Sequence, residues 1–305
     1  MSAHPVALVP SEDDAAAAPP GLAVAVYDAD HAPPEHLDAV ELYVVPYNRA
    51  DAVDLLADLP ALRAVVLLTA GYEHVLPHLP PGVALHNGAG LHDASTAELA
   101  MTLILAAQRD LDEWILGRAA AHWDRHLTRS LAGSRVLLVG YGGIGRALEA
   151  RLAPFEVDVV RVASRAWSDA RGAIHGIDEL PDLLPGADVV VLAVPDTART
   201  RGLIGATELA LLADGALLVN VGRGTAVDTE ALLAEKGRVR AALDVVDPEP
   251  FPPGHPLWTA PGMILTPHIG GGSATFEPRA RAYVAEQLRR FAAGEPLLNP
   301  VEEDR

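Results

Sequence analysis

The chain has 305 residues, half of them apolar and 21% charged, a globular composition long enough for two separate cores. Its formal charge of -18 counts against nucleic acid and acidic membrane surfaces as partners. The absence of cysteine excludes disulfides, thiolate metal sites and cysteine nucleophiles. Lys236, the only lysine, lies in a polar Glu-Lys-Gly-Arg turn, which leaves no plausible Schiff-base candidate. Long apolar runs and a basic leader are both missing, so a cytoplasmic protein is expected.

Residues 1–20 read as a flexible tail, because Ser11 to Pro20 is an acidic stretch followed by alanines and prolines. From Leu22 short apolar runs alternate with polar or Pro-rich stretches. Leu22–Tyr27, Glu41–Val45, Arg63–Leu68 and Val83–Leu85 suit buried parallel strands, and Asp51–Asp58 suits a crossover helix. A Ser-x-x-Glu capping box at Ser95 to Glu98 opens a helix expected to run to about Arg118, with a break near Gln108.

A second α/β rhythm follows. Its strands are Arg135–Val139, Val157–Val162, Val189–Ala193, Leu217–Asn220, Val239–Leu243 and Ile264–Thr266, with helical stretches between most of them. The proline-dense stretch Asp247–Gly262 reads as a surface loop. A last amphipathic helix, from about Glu277 to Ala292, is expected to return to the first domain. The fold class is therefore α/β. Residues 21–94 with 273–305 form one domain, and 95–272 form a doubly wound, dinucleotide-binding one.

The sequence Gly140-Tyr141-Gly142-Gly143-Ile144-Gly145 sits at a strand-to-helix turn. In such a turn Gly140 permits the reversal, Gly142 lets backbone approach a pyrophosphate, and Gly145 allows close helix packing. The helix N-terminus then offers amides and a positive dipole end to the phosphates. About twenty residues on, where an acidic ribose ligand is usual, the chain reads Val162-Ala163-Ser164-Arg165. A hydroxyl and a guanidinium in place of a carboxylate favour NADP(H) over NAD(H), since arginine can clamp a 2′-phosphate.

Three further groups lie just past strand ends. Arg223 stands between Gly222 and Gly224, expected to leave room for a ligand, and offers a planar fork suited to a carboxylate with an adjacent carbonyl. Among 12 histidines, only His268 joins a strand end, a preceding proline and a following glycine run. It is the candidate acid/base. Glu249, five residues past Asp244, is a carboxylate able to fix the tautomer of such an imidazole.

These motifs resemble the D-isomer-specific 2-hydroxyacid dehydrogenases over nearly everything from Leu22 to Pro300. The shared stretches are Val139–Gly145, Val219–Val227, Ala242–Pro250 and Leu265–Gly271, with Pro256-Leu257-Trp258 in support. The resemblance implies two flavodoxin/Rossmann-like domains with parallel sheets, an active site in the interdomain cleft, and a homodimer. It assigns Arg223 to the substrate carboxylate and carbonyl, His268 to proton transfer and Glu249 to tuning His268. The turn at Ala70-Gly71 would bind the substrate carboxylate. Asp244, Pro195, Thr200, Val221, Gly222, Gly270 and His268 would line the cofactor beside Gly140, Gly142, Gly143, Ile144 and Gly145.

The implied reaction is hydride transfer between the nicotinamide and a small 2-keto or 2-hydroxy acid, as in a glyoxylate/hydroxypyruvate-type reductase. Two departures stand out: the missing acidic ribose ligand, and Glu156 where such proteins usually carry glycine. Alternatives on the same fold are a phosphite- or formate-type dehydrogenase and a non-enzymatic dinucleotide-sensing scaffold of the corepressor kind.

Overall fold

The computed structural model describes residues 6–123 and 125–301. The chain divides into two compact units, Met1–His92 with Ala274–Arg305, and Asp93–Ser273. In the first unit the strands are β1 (Ala7–Val9), β2 (Val24–Val26), β3 (Leu42–Val44), β4 (Ala64–Val66) and β5 (Ala84–His86). They form one parallel sheet in the order β2-β1-β3-β4-β5.

The expected tail is therefore corrected: β1 lies within the sheet, between two strands, and of residues 1–20 only 1–5 fall outside the described chain. Apolar burial decides this. Ala7, Leu8 and Val9 are all fully buried, with Leu8 among Tyr43, Leu56 and Val65 on one face. Ala7 and Val9 point to the other face, against Val284 and Leu288 of the C-terminal helix Phe276–Ala293. A strand buried on both faces reads as an unbroken apolar run, and Val6 to Val9 is one. The acidic stretch behind it forms a short helix, α1 (Glu12–Ala16), whose N-cap Ser11 accepts from the Asp14 amide at 3.2 Å.

The second unit opens with α2 (Asp93–Gln108) and α3 (Leu111–Ala119). They are two helices rather than one, because Asp110 takes a left-handed turn with φ 48°. The helix also begins at Asp93, before the Ser95–Glu98 box, so Ser95 is buried inside its first turns. Then follow β6 (Arg135–Val139), α4 (Gly143–Leu152), β7 (Asp158–Ala163), β8 (Trp167–Asp169), β9 (Gly172–Gly176) and α5 (Leu180–Leu183). The unit continues with β10 (Val189–Leu192), α6 (Ala206–Leu211), β11 (Leu217–Asn220), α7 (Thr229–Ala234), β12 (Arg240–Leu243) and β13 (Met263–Leu265).

The strand order is β13-β12-β11-β10-β6-β7-β9-β8, parallel throughout except for β8, which runs antiparallel to β9. That hairpin has no counterpart in the strands expected from sequence; its strands are short, and Trp167, Ala173 and Ile174 are interspersed with polar residues and glycines. Alternate residues of β6 feed two cores. Leu137 and Val139 face the α6 and α7 side, while Val136 and Leu138 face α2 and α4. The chain leaves β6 in one direction to β7 and returns on its other side to β10, so a topological switch lies between β6 and β10.

Glu156 now has a physical description. It lies in the left-handed region, φ 57° and ψ 42°, where glycine costs least and a side chain costs on the order of 1 kcal/mol.

The placement of β1 is testable. Leu8→Ala should lower stability by about 2–5 kcal/mol, the range for emptying a closed core site, seen as a lower urea midpoint. An unchanged midpoint would return this segment to an unpacked tail.

Candidate active site

The glycine loop follows β6 at the switch point, and its glycines are required for different reasons. Gly140 has φ 103°, and a Cβ there would lie 2.3 Å from the Ala193 carbonyl oxygen, just past β10. A Cβ on Gly145 would lie 2.2 Å from the Gly140 carbonyl oxygen, so α4 can meet the loop only if this residue is glycine. At Gly143 the space is taken by the Asp93 carboxylate, 2.0 Å from the position of a Cβ. Gly142, the N-cap of α4, faces open space, and Ile144 is half-buried in the first turn. The loop is therefore closed on three sides and open at Gly142. That arrangement fits a pyrophosphate laid on the α4 N-terminus.

Tyr141 ties the loop to the β8–β9 hairpin. Its hydroxyl donates to Glu149, and Glu149 also pairs with Arg171 at 2.6 Å. Arg161, only 5% exposed, bonds to Asp169 at 3.1 Å and to the Arg171 carbonyl at 2.8 Å. A charge so buried is stable only because its neighbours satisfy it.

Ser164 and Arg165 follow β7 immediately, and both are exposed. A second cation stands beside them. Arg199 donates to the Ser164 carbonyl at 3.2 Å and to Asp178 at 2.7 Å. It comes from the turn after β10, 35 residues away in sequence, and motif spacing gave no signal for it. Within that turn Pro195 is exposed, while the Thr200 hydroxyl is directed inward and donates to the Pro195 carbonyl at 2.6 Å. Val221 is buried, its amide bonded to the Leu192 carbonyl at 3.0 Å.

Arg223, Asp244 and His268 come after β11, β12 and β13, three neighbouring parallel strands, and so share one edge of the sheet. Gly222 and Gly224 do not leave ligand space around Arg223. A Cβ on Gly222 would meet the Val194 backbone at 2.7 Å, and one on Gly224 would meet the Val246 carbonyl at 2.0 Å. The glycines let two neighbouring loops close against the Arg223 turn. Asn220 shapes that turn from inside, donating to the Arg223 carbonyl at 2.8 Å and accepting from the Gly222 amide at 3.0 Å.

Asp244 is 2% exposed and fully engaged. One carboxylate oxygen accepts from Thr266 Oγ1 at 2.6 Å and the Ile269 amide at 2.9 Å; the other accepts from the Gly270 amide at 2.8 Å. His268 lies between these anchors in the left-handed region, φ 52°. Its Nδ1 is 2.7 Å from Glu249 Oε2, and Glu249 Oε1 accepts from the Val246 amide at 3.1 Å. The Glu249 hydrogen bond raises the imidazole pKa above its ordinary value; burial and the Arg223 charge oppose it, and the Glu249 and Asp244 charges reinforce it. Burial alone would raise Glu249, but the His268 bond and charge, the Val246 amide and Arg223 outweigh it and hold the carboxyl low. With Nδ1 committed to Glu249, Nε2 is the nitrogen left to exchange a proton with a bound molecule.

In the first unit, the exposed Ala70 and half-buried Gly71 form a turn two residues after Leu68. The Thr69 hydroxyl donates to the Gly71 carbonyl at 2.7 Å, and Asn87 Nδ2 to the Ala70 carbonyl at 2.8 Å. Among the described residues, neither the Ala70 nor the Gly71 amide donates a hydrogen bond. Two such amides on one turn suit an anion. No helix of the described residues is long and apolar enough to cross a membrane.

Residues 101–270 match the model of the D-isomer specific 2-hydroxyacid dehydrogenase NAD binding domain. A glyoxylate reductase of Aeropyrum pernix is 35% identical over 283 residues, covering 87% of this chain and 83% of its own. Glyoxylate/hydroxypyruvate reductase A of Photorhabdus laumondii subsp. laumondii is 31% identical over 277 residues, covering 86% of this chain and 85% of its own. The crystal structure of a D-isomer specific 2-hydroxyacid dehydrogenase from Xanthobacter autotrophicus Py2, in complex with NADPH and MES, superimposes with a TM-score of 0.82 at 30% identity, covering 98% of both chains. Together with the sheet order and the loop after β6, these likenesses identify the chain as a member of the D-isomer specific 2-hydroxyacid dehydrogenase family, an NAD(P)-dependent enzyme of small 2-hydroxyacids.

Proposed function

We propose that this enzyme reduces a small 2-keto acid of the glyoxylate or hydroxypyruvate class, with NADPH as the preferred donor. The observation that carries the chemistry is the 2.7 Å bond from His268 to Glu249, set on the same sheet edge as Arg223. The bound nicotinamide supplies the hydride. Arg223 holds the substrate carboxylate and carbonyl as a two-pronged donor, and His268 Nε2 delivers the proton to the carbonyl oxygen. Glu249 keeps the imidazole charged and in one tautomer. Asp244 acts through the backbone, fixing the loop that presents His268. The amides of Ala70 and Gly71 are assigned to the substrate carboxylate. The names of the two reductase relatives support the substrate class.

For the cofactor, Ser164 and Arg165 stand where an acidic residue would repel a 2′-phosphate, and Arg199 adds a second guanidinium. The Xanthobacter enzyme, solved with NADPH, lends support. We further propose a homodimer built on α3 and the segment after it. Leu116 is 69%, Trp123 93% and Leu127 fully exposed, a cost in water that a second copy would remove.

Three outcomes test these assignments. With glyoxylate and hydroxypyruvate, His268→Ala should bind dinucleotide yet lose roughly 10²- to 10⁴-fold in kcat, the usual contribution of a positioned acid. A loss below about threefold would remove His268 from that role. Reduction needs the imidazolium, so kcat/KM should be full at low pH and fall as pH rises through the raised His268 value. Glu249→Gln removes the group that raises it, and the falling limb should then move to lower pH; an unmoved limb would count against the pairing.

The cofactor reading predicts kcat/KM higher with NADPH than with NADH. Arg165→Ala should cut the NADPH value by about ten- to a hundredfold, the magnitude of a charge-assisted bond, and spare NADH. A ratio near one that Arg165→Ala does not change would dismiss it. Finally, Trp123→Asp with Leu127→Asp should shift the light-scattering mass from dimer to monomer, whereas a wild-type monomer would refute the assembly.

A further inference from the structure

At the edge of the second unit's sheet opposite the glycine loop there is a cavity of about 280 Å³, and it is lined largely by polar groups. Asp188 leads into β10, Gly215 and Ala216 lead into β11, and Arg240 begins β12, so the cavity sits at the N-terminal ends of three adjacent parallel strands. The catalytic groups discussed above all follow the C-terminal ends. The Arg240 guanidinium is held there from three directions. Nε donates to the Gly215 carbonyl at 3.2 Å, Nη1 to the Ala107 carbonyl at 2.6 Å and Nη2 to Gln108 Oε1 at 2.6 Å. These three bonds engage three of its five N–H donors, and all three acceptors are neutral.

Arg129 brings a second cation. Its guanidinium lies so close over Gly215 that a Cβ on that glycine would be 2.1 Å from Nη2. Neither arginine has a carboxylate within ion-pairing distance among the described residues. The two aspartates in the wall are directed elsewhere: Asp188 accepts from the Arg135 amide at 2.8 Å, and Asp214 pairs with Arg238 at 3.3 Å. Burial pulls the Arg240 guanidinium below its ordinary pKa, and the nearby Arg129 charge adds to this, outweighing the opposing charges of Asp110 and Asp112. Ser130 and Ser134 complete the lining; the Ser134 hydroxyl donates to the Ser130 carbonyl at 3.1 Å, and Ser130 Oγ accepts from the Ala132 amide at 3.2 Å.

We propose that this cavity is an anion site, separate from the substrate and cofactor, for a small phosphate-bearing molecule of about the size of pyrophosphate. Two guanidiniums on one cavity offer more donors than a single carboxylate can take, and match the oxygens of a phosphate-bearing anion better. In a chain of formal charge -18 such a site also concentrates anions locally that the rest of the surface repels.

Calorimetric titration of the full-length enzyme, with NADP at saturation to fill the glycine loop, provides the test. Pyrophosphate should bind saturably, inorganic phosphate more weakly, and citrate weakest of the three. Arg129→Gln is the deciding variant, because Arg129 is exposed and Arg240 also anchors α2. That change should weaken pyrophosphate by about tenfold or more, the scale of one charge-assisted contact, with keto-acid reduction unchanged. Absence of saturable pyrophosphate binding overturns the proposal. So does binding that Arg129→Gln leaves intact, since that places the anion elsewhere, and so does citrate binding as tightly as pyrophosphate.

Discussion

The second unit depends on how closely its loops can approach one another at the C-terminal edge of the sheet. Backbone meets backbone at Gly140 and Ala193, at Gly145 and Gly140, at Gly222 and Val194, and at Gly224 and Val246. Each contact leaves no room for a β-carbon. Together they bring the ends of β6, β10, β11 and β12 within reach of one another, and the polar groups they carry follow. Any side chain inserted at one of these points would push a whole loop aside, and interiors packed this tightly transmit such a shift.

On that frame the polar anchors do separate jobs. Asp244 is a buried carboxylate satisfied by a hydroxyl and two amides, and it holds the 266–270 segment in place. Glu249, less buried, bonds among the described residues to the imidazole and the Val246 amide. Asp244 thus sets where His268 is, and Glu249 chiefly sets its charge, with the Asp244 charge reinforcing it. The left-handed backbone at His268 costs on the order of 1 kcal/mol, and the three bonds from Asp244 to its flanks are what maintain it.

Much of this was legible in the chain. Strand-sized apolar runs marked most of both sheets, and a glycine loop between a strand and a helix marked the switch point. Short segments were harder. β1 is only three residues long, and the alanine and acidic stretch behind it disguised a run that packs on both faces. The glycines beside Arg223 looked like ligand space, because sequence cannot show which neighbouring loop fills a missing side chain. Arg199 and the inward turn of Thr200 depend on contacts between separate loops, as does the engagement of both Asp244 oxygens. Glu156 was visible as an oddity, and its left-handed backbone shows why glycine would be easier there.

The exposed end of β7 has a consequence for how this enzyme can change over evolutionary time. Ser164 and Arg165 touch no core, and Arg199 is held only by a carbonyl and a surface carboxylate. Substitutions at such positions usually alter stability by less than half a kcal/mol or so. The glycine loop, at the end of the neighbouring strand β6, has no comparable freedom. On the proposed cofactor assignment, selection can therefore retune which dinucleotide is used almost independently of folding, one surface residue at a time, while the glycine loop stays locked. Among close relatives, divergence should accumulate first at the ribose end.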